Sequence, residues 1–309
     1  MNKDKITVSI ITPFYNTEQY IKESFNSVIN QQIDKNVYIE YLLVNDCSTD
    51  NSLNILNELV LTNHNENIDI KLLNTPENLG CGGARKFGID NSTGDYLMFI
   101  DADDSYINND FVNRAVNDII ENNADIVEYG VQYLNLIKSG PYKHYSKEKI
   151  IIENDVERAE ILLFKDNFIK FHVWTKIIKR SISVSYPYSI RRTFEDVDTI
   201  PIWVANAHKI VIMPSVEINY NKVPNSIITT DSLTTRLGTI NSIAELFPIF
   251  KDNRNILKAM YTRSLMDFKP VLLNHTSDDP GFNELSKFNT YMLSFLYPNN
   301  FIDLTYNIT

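Results

Sequence analysis

The stretch "YLMFIDADDSYI" (residues 96–107) places Asp101, Asp103 and Asp104 directly after an apolar run, Leu97 to Ile100, with no basic residue beside them. Clustered carboxylates repel one another and resist desolvation. Asp101 and Asp103, two positions apart, can both reach one ion where a strand opens into a loop. A hard divalent cation with oxygen ligands would offset their repulsion and keep open positions for substrate phosphates. Asp104 has a plainer use available, in a turn or as a cap for the segment that follows. A second acidic pair, Glu195-Asp196, stands at the start of a helical pattern. A carboxylate there suits either a helix cap or a general base that deprotonates an attacking hydroxyl.

These groups need a scaffold. The first hundred residues alternate strand and helix. "TVSIIT" (residues 7–12) is β-branched and ends at Pro13; Asn16 or Thr17 can cap a helix from about Glu18 to Asn30. "YIEYLLVND" is a second strand, ending at Asp46, and Leu53, Leu56, Leu59 and Val60 then recur at helical spacing. "IDIKLLN" is a third strand, "GCGGARKFGID" opens a short helix, and "DYLMFID" is a fourth strand. Strands separated by helices predict a mostly parallel sheet with right-handed crossovers. Ligands bind such sheets at the carboxyl ends of the strands. There stand Pro13 to Asn16, Asp46, Gly80 to Arg85, and Asp101 to Asp104, so polar residues distant in sequence converge on one edge.

Beyond Asn109 the pattern is mixed. "FVNRAVNDIIENN" predicts a helix and "ADIVEYGVQYLNL" a strand; "SGPYKHYSKEK" is a loop or hairpin. "DVERAEILLF" and "VWTKIIKRSI" read as helices, and "KIVIMPSVEINYN" as a pair of short strands. From about Ser226 the chain turns helical, with Ile240, Ile243, Leu246 and Phe247 at helical spacing.

A net charge of −10 and a pI of about 5.0 over 309 residues argue against a general basic surface for nucleic acid. Small anionic substrates remain open to a metal or to local amides. Cys47 and Cys81 form neither a disulfide framework nor a zinc pattern, and reduced cytoplasm is the simplest setting. The apolar stretch near the N-terminus is too short and too β-branched for a secretory signal, and no run is long enough to span a bilayer.

In order and spacing, these segments resemble a family 2 glycosyltransferase. "VSIITPFYN" matches that family's opening strand and Pro-x-Tyr-Asn turn, and "YLLVNDCSTDNSLNIL" its second strand and helix start. "NLGCGGARKFGIDNSTGDYLMFIDADD" matches the block that ends in Asp-x-Asp-Asp. "VWTKIIKR", "FEDVDT" and "YNKVPNSIIT" resemble the segments that follow, so the likeness covers about residues 8 to 230. It implies the GT-A fold: Rossmann-like α/β, a mostly parallel central sheet flanked by helices, and here a helical C-terminal extension. Residues 1–230 would be the catalytic domain, with 1–104 the nucleotide-sugar half and 105–230 the acceptor half; 231–309 would be the helical region.

The resemblance implies an inverting transfer from a UDP-sugar to a glycan or lipid-linked acceptor, of the bacterial surface-glycan type. Pro13, Tyr15, Asn16, Asp46, Arg85, Asp101 and Ala102 would contact the donor. Asp46 would accept from the base, Tyr15 would pack on it, and Arg85 would approach the base or diphosphate. Asp103 with Asp101 would hold Mn2+ or Mg2+. Asp196 would be the general base, with Glu195 beside it. Trp174, Lys176 and Arg191 would lie on the acceptor side, in an approach made basic by Lys165, Lys170, Lys179, Arg180 and Arg192 as well. His172 has a structural use or a place near acceptor or metal. Cys47 stands where the family has Gly, and Lys86 where Asn is frequent. The location implied is cytoplasmic, or the inner membrane face.

Two other enzyme classes compete for the same residues. A sugar-phosphate nucleotidyltransferase needs a Gly-rich, Arg-containing loop after the first strand, where "PFYN" stands. An aspartyl phosphatase carries its acidic motif after the first strand, not the fourth. A non-catalytic glycan-binding relic would lack the metal pair or the base. For the tail, packing on the catalytic domain or self-association into a homo-oligomer is expected ahead of peripheral membrane docking, because its polar faces carry few clustered basic residues.

Overall fold

The structure, a computed structural model, describes residues 5–134, 142–144, 146–163, 171–183, 195–221, 233–274 and 280–297. Its first part runs β1 (Ile6–Phe14), α1 (Ile21–Ile29), β2 (Val37–Asn45), α2 (Ser52–Thr62), β3 (Ile68–Asn74), α3 (Gly80–Asp90) and β4 (Tyr96–Phe99). These strands lie in the order β3-β2-β1-β4, all parallel, as the alternation predicts. Val8, Ile10, Ile11, Leu42, Leu43 and Val44 are fully buried, as near-continuous apolar strands covered on both faces must be. On α1, Ile21, Ser24, Phe25, Val28 and Ile29 are buried, an i, i+3, i+4 stripe facing the sheet. On α3, a Cβ at Gly88 would lie 2.5 Å from the Ile11 side chain, so the missing side chain lets this helix sit close on β1.

The second part adds β5 (Ser105–Tyr106), α4 (Phe111–Glu121), β6 (Ile126–Leu134), β7 (Tyr142–His144), β8 (Ile150–Ile152), α5 (Asp155–Leu163), β9 (Lys176–Lys179), α6 (Arg180–Ser183), α7 (Glu195–Asn206) and β10 (Ile210–Asn221). The sheet continues β4-β9-β6-β10-β5; β9 is antiparallel to both β4 and β6, while β6 and β10 are parallel. β7 pairs with β6, which realises the predicted hairpin.

Three expectations are corrected. "VWTKIIKRSI" is not one helix: Val173–Thr175 is a single 3₁₀ turn, Lys176–Lys179 is β9, and only Arg180–Ser183 is helical. Ile177 and Ile178 are both fully buried, so successive residues face opposite layers, a strand arrangement that a short apolar segment does not distinguish from a helix. "KIVIMPSVEINYN" is one strand rather than two, with register shifts on either side of Val216 that absorb Pro214. Neither Asn16 nor Thr17 caps α1, whose N-cap is Tyr20 without a side-chain bond. Asn16 adopts a left-handed φ of 53° and ties the end of β1 to the loop after β2 instead.

The helices α8 (Leu233–Leu246), α9 (Arg254–Asn274) and α10 (Pro280–Leu296) follow. α8 packs on α7, α9 on α5, and α10 on α8 and α9. Ile243, Leu246, Phe247, Ile256, Leu257, Met260 and Met292 are buried there, so these described parts of the tail join the main core. No described helix is long and apolar enough to cross a membrane.

Candidate active site

The carboxyl ends of β1, β2 and β4 bring their polar residues together. At the end of β1, Pro13 and Phe14 are buried and Tyr15 is 48% exposed, so the Tyr15 ring is available to a ligand while Phe14 packs in the core. The Asn16 Oδ1 accepts the Thr49 N–H at 2.7 Å and the Asp50 N–H at 3.3 Å, which fixes the loop that follows Asp46. Cys47 in that loop has φ of 64°, the left-handed conformation that Gly adopts without penalty. Asp46 is buried; its Oδ1 accepts from Thr75 Oγ1 at 2.9 Å and the Leu79 N–H at 2.8 Å. Those bonds orient the carboxylate and leave its second oxygen for an incoming donor group. The Gly-rich segment is the first turn of α3, with Gly82 and Gly83 buried.

After β4 the chain folds back on itself, Asp104 N–H donating to the Asp101 carbonyl at 3.0 Å. Asp101, Asp103 and Asp104 each offer a carboxylate oxygen, all within 4.8 Å of one another. Burial, then the Asp101 charge, push the Asp103 carboxyl up to about 7. Burial also raises Asp104, followed by the Asp103 and Asp101 charges. Asp104 does serve the turn, as expected, but it does more. Its Oδ1 accepts the Asn221 N–H at 2.9 Å, while its buried Oδ2 has no hydrogen-bond partner. Three converging hard oxygen donors with one orphaned oxygen fit a divalent cation. Asn221 also donates its side-chain amide to the Asp103 carbonyl at 2.7 Å, so the end of β10 clamps the acidic turn. Nothing short of the fold relates Asn221 to these residues, 117 positions away.

Arg85 is the hub of the site and is only 2% exposed. Its Nη2 donates to Asp101 Oδ1 at 2.6 Å; its Nη1 donates to Glu195 and, at 3.2 Å, to Asp196 Oδ1. One guanidinium therefore joins the acidic turn after β4 to the first turn of α7. Burial, opposed by the Arg85 charge, holds the Asp196 carboxyl well above the usual carboxylate range. A carboxyl so raised, at the mouth of a helix, is disposed to take a proton.

On the far side of Asp196 lies His172, with Nδ1 4.0 Å from Asp196 Oδ2. The His172 ring stacks on Trp174 at 4.7 Å and 8°, and Trp174 stacks on Tyr220 at 5.5 Å and 10°. Tyr220 precedes the Asn221 clamp, so three stacked rings run between Asp196 and the acidic cluster. This corrects the place expected for Trp174 and Lys176. Trp174 is 3% exposed and sandwiched, and Lys176 is 1% exposed. The Lys176 ammonium is bound by the His172 carbonyl at 2.6 Å, Thr175 Oγ1 at 2.9 Å and Glu128 at 3.3 Å. Burial makes a free cation costly there, so those three oxygens hold it inside rather than presenting it to an acceptor. Arg191, with Lys165, Lys170 and Arg192, lies outside the described residues. Ala102, between Asp101 and Asp103 in the chain, is buried.

Comparison with known proteins bears on the family and the fold. The model of the family "Glycosyl transferase family 2" matches residues 9–183. Glycosyltransferase GlyA of Streptococcus pneumoniae is 32% identical over 202 residues, 62% of this chain but only 27% of that protein; the chain thus spans about a quarter of that relative's length. Among solved structures, Staphylococcus aureus TarS 1-349 in complex with UDP-GlcNAc superposes with a TM-score of 0.63 at 18% identity, covering 94% of this chain and 91% of that one. The mannosyltransferase PcManGT from Pyrobaculum calidifontis, in complex with GDP-Man and Mn2+, gives 0.54 at 14% identity over 96% and 88%. At these identities the likeness is one of fold.

Proposed function

The chain belongs to glycosyl transferase family 2 and is a glycosyltransferase, and on that premise we propose that it moves a hexosyl or N-acetylhexosaminyl group from a UDP-sugar to a hydroxyl of a glycan or lipid-linked acceptor. The displacement is direct and inverting, assisted by Mn2+ or Mg2+, and the product is a surface-glycan precursor. The observation that carries this reading is the Arg85 bridge. It sets the raised Asp196 carboxyl and the Asp101 end of the acidic cluster on one guanidinium, 3.2 and 2.6 Å away. A base and a leaving-group site held at fixed separation are what an in-line displacement needs.

Each residue then has a task. Tyr15 covers the nucleobase and Asp46 accepts its imide N–H through the oxygen that Thr75 and Leu79 leave open. The backbone at Pro13, the loop held by Asn16, and the chain at Ala102 shape the donor cleft. Asp103, Asp101 and Asp104 would hold the cation, which when bound neutralises charge developing on the diphosphate. Asp196 removes the proton from the acceptor hydroxyl; Arg85 keeps that carboxylate turned toward the reaction, and Glu195 balances the guanidinium charge. The UDP-GlcNAc complex of a fold neighbour supports the choice of UDP.

The test is a screen of UDP-sugars for UDP release with and without manganese, alongside calorimetry of UDP binding. UDP release that stops on chelation, and an Asp103→Ala protein that no longer binds UDP in a metal-dependent way, are expected. Equal UDP binding before and after chelation would remove the metal from the mechanism, and hydrolysis of a guanosine- but not a uridine-linked sugar would change the donor.

A further inference from the structure

We propose that His172 positions Asp196 and carries its proton to solvent after each transfer. The inference rests on the reading of Asp196 as the base. The two oxygens of that carboxylate have different partners: Arg85 donates to Oδ1, and His172 Nδ1 faces Oδ2 at 4.0 Å. A base fixed at one oxygen by a permanent cation has the other for proton traffic. The proton it takes must leave before the next turnover, and Asp196 is poorly placed to release it alone. Its side chain is 17% exposed and that of His172 is 30% exposed, so the imidazole is the step from the buried base toward water.

The imidazole is also unusually well fixed for a half-exposed side chain. Its ring lies nearly parallel to Trp174, itself backed by Tyr220. Its carbonyl accepts from the buried Lys176 ammonium at 2.6 Å. The preceding residue, Phe171, lies under the Arg263 guanidinium of α9 at 4.8 Å. Among the described residues, the charged groups around the pair include Arg85 on α3, Glu195 on α7, Lys176 on β9 with its partner Glu128, Arg263 on α9 and Asp101 after β4. The 4.0 Å separation closes through one water or a small rotation, as such contacts do when substrate binds.

The protons balance. As the new glycosidic bond forms and the bond to the diphosphate breaks, the acceptor hydroxyl proton passes to Asp196 Oδ2. It then passes to the Nδ1 lone pair of neutral His172. The imidazolium releases its Nε2 proton to water, and exchange with solvent moves the remaining ring proton from Nδ1 back to Nε2, so both side chains return to their starting states.

The test compares His172→Phe, His172→Ala and Asp196→Asn in the full chain. His172→Phe keeps a ring on Trp174 and removes only the nitrogens, which guards against simple unfolding. It is expected to lower kcat roughly 10- to 100-fold, the lower range for loss of a proton-transfer group, with the KM for donor and acceptor unchanged. His172→Ala is expected to lose turnover similarly and to regain it with added imidazole in a dose-dependent way. Wild-type kcat in His172→Phe overturns the proposal. So does a slow His172→Ala protein that imidazole does not rescue, because that is a structural loss. Normal turnover in Asp196→Asn instead overturns the base reading itself, independently of the histidine results.

Discussion

The backbone N–H of Asn221 donates to Asp104 Oδ1 at 2.9 Å, so the last residue of β10 anchors a carboxylate whose second oxygen is buried without a partner. Asp104 is thus satisfied on one side only. The orphaned oxygen costs stability in the absence of a cation and supplies affinity in its presence.

Asp104→Asn separates these effects. The folded state holds this carboxyl above its unfolded value, so the metal-free protein loses stability as pH rises past the ordinary carboxylate range. At pH 7 the neutral amide removes the buried charge beside Asp103 and Asp101 and should therefore stabilise the metal-free protein by about 1 kcal/mol, the worth of roughly one pKa unit. In millimolar manganese the order should reverse. Thermal melts with and without the ion check this; a variant that manganese stabilises as much as the parent would remove Asp104 from the cation site.

Asp196→Asn is nearly isosteric and removes basicity. Turnover should fall roughly 10²–10⁴-fold, the usual worth of a general base, with UDP binding little changed. In the parent enzyme the base must be ionised to act, and burial raises its titration well above the usual range. The acid limb of the kcat profile should accordingly lie above about pH 4, the ordinary aspartate value. A limb at or below that value contradicts the burial argument.

Gly94 carries a purely structural prediction. A Cβ there would lie 2.5 Å from Ser9 Oγ, 2.6 Å from Ser9 N and 3.0 Å from the Thr7 carbonyl. Two of those atoms are backbone of β1 and cannot swing away. The third, Ser9 Oγ, donates to buried Glu40, which also accepts from Lys71 and the Thr93 N–H. Burial opposes ionisation of Glu40, and those hydrogen bonds outweigh it, so its titration is lowered. Gly94→Ala should cost about 1–3 kcal/mol, the range for overpacking, read as a shift in urea midpoint at constant slope. An unchanged midpoint would mean that β1 and the β4 approach yield more easily than their pairing suggests.

Removing residues 231–309 should impair transfer more than UDP binding. α8 packs on α7, whose first turn holds Asp196, and Arg263 of α9 sits over Phe171 beside His172. Tyr15, Asp46 and Asp103, proposed for the donor, stand on other elements. The truncated protein should also lose solubility, since partners of Ile243, Phe247 and Met260 are stripped. A soluble, monomeric truncation with full transfer activity would refute this.

What the sequence discloses follows from which interactions are local. The β1 to β4 alternation is readable because each strand is a short apolar run, rich in β-branched residues in β1 to β3, with Pro13, Asp46, Asn74 or Asp101 at or near its end, and because the helix between β1 and β2 repeats its apolar residues every three to four positions. The same rule explains why candidate residues could be gathered at one edge before any coordinates. β9 was missed because four residues, Lys-Ile-Ile-Lys, carry too short a pattern to tell strand from helix. Lys176 was misplaced because a lysine in sequence looks solvated, and only the three oxygens around it show otherwise. The joint hold of Arg85 on Asp101, Glu195 and Asp196 depends on a contact spanning 110 residues, for which no local pattern exists.

The antiparallel placement of β9 has a bearing on biosynthesis. It inserts between β4 and β6, pairing Met98 with Ile177 on one side and Val127 with Ile177 on the other. A nascent chain that has emerged only as far as residue 175 therefore holds two apolar strands with open edges. Such edges are templates for pairing with another chain. Four residues close the two facing edges at once and leave the far edge of β6 open until β10 follows, so the interval before β9 leaves the ribosome is when two separate strands of this chain stand open to misassembly together, and when a chaperone would shield most edge.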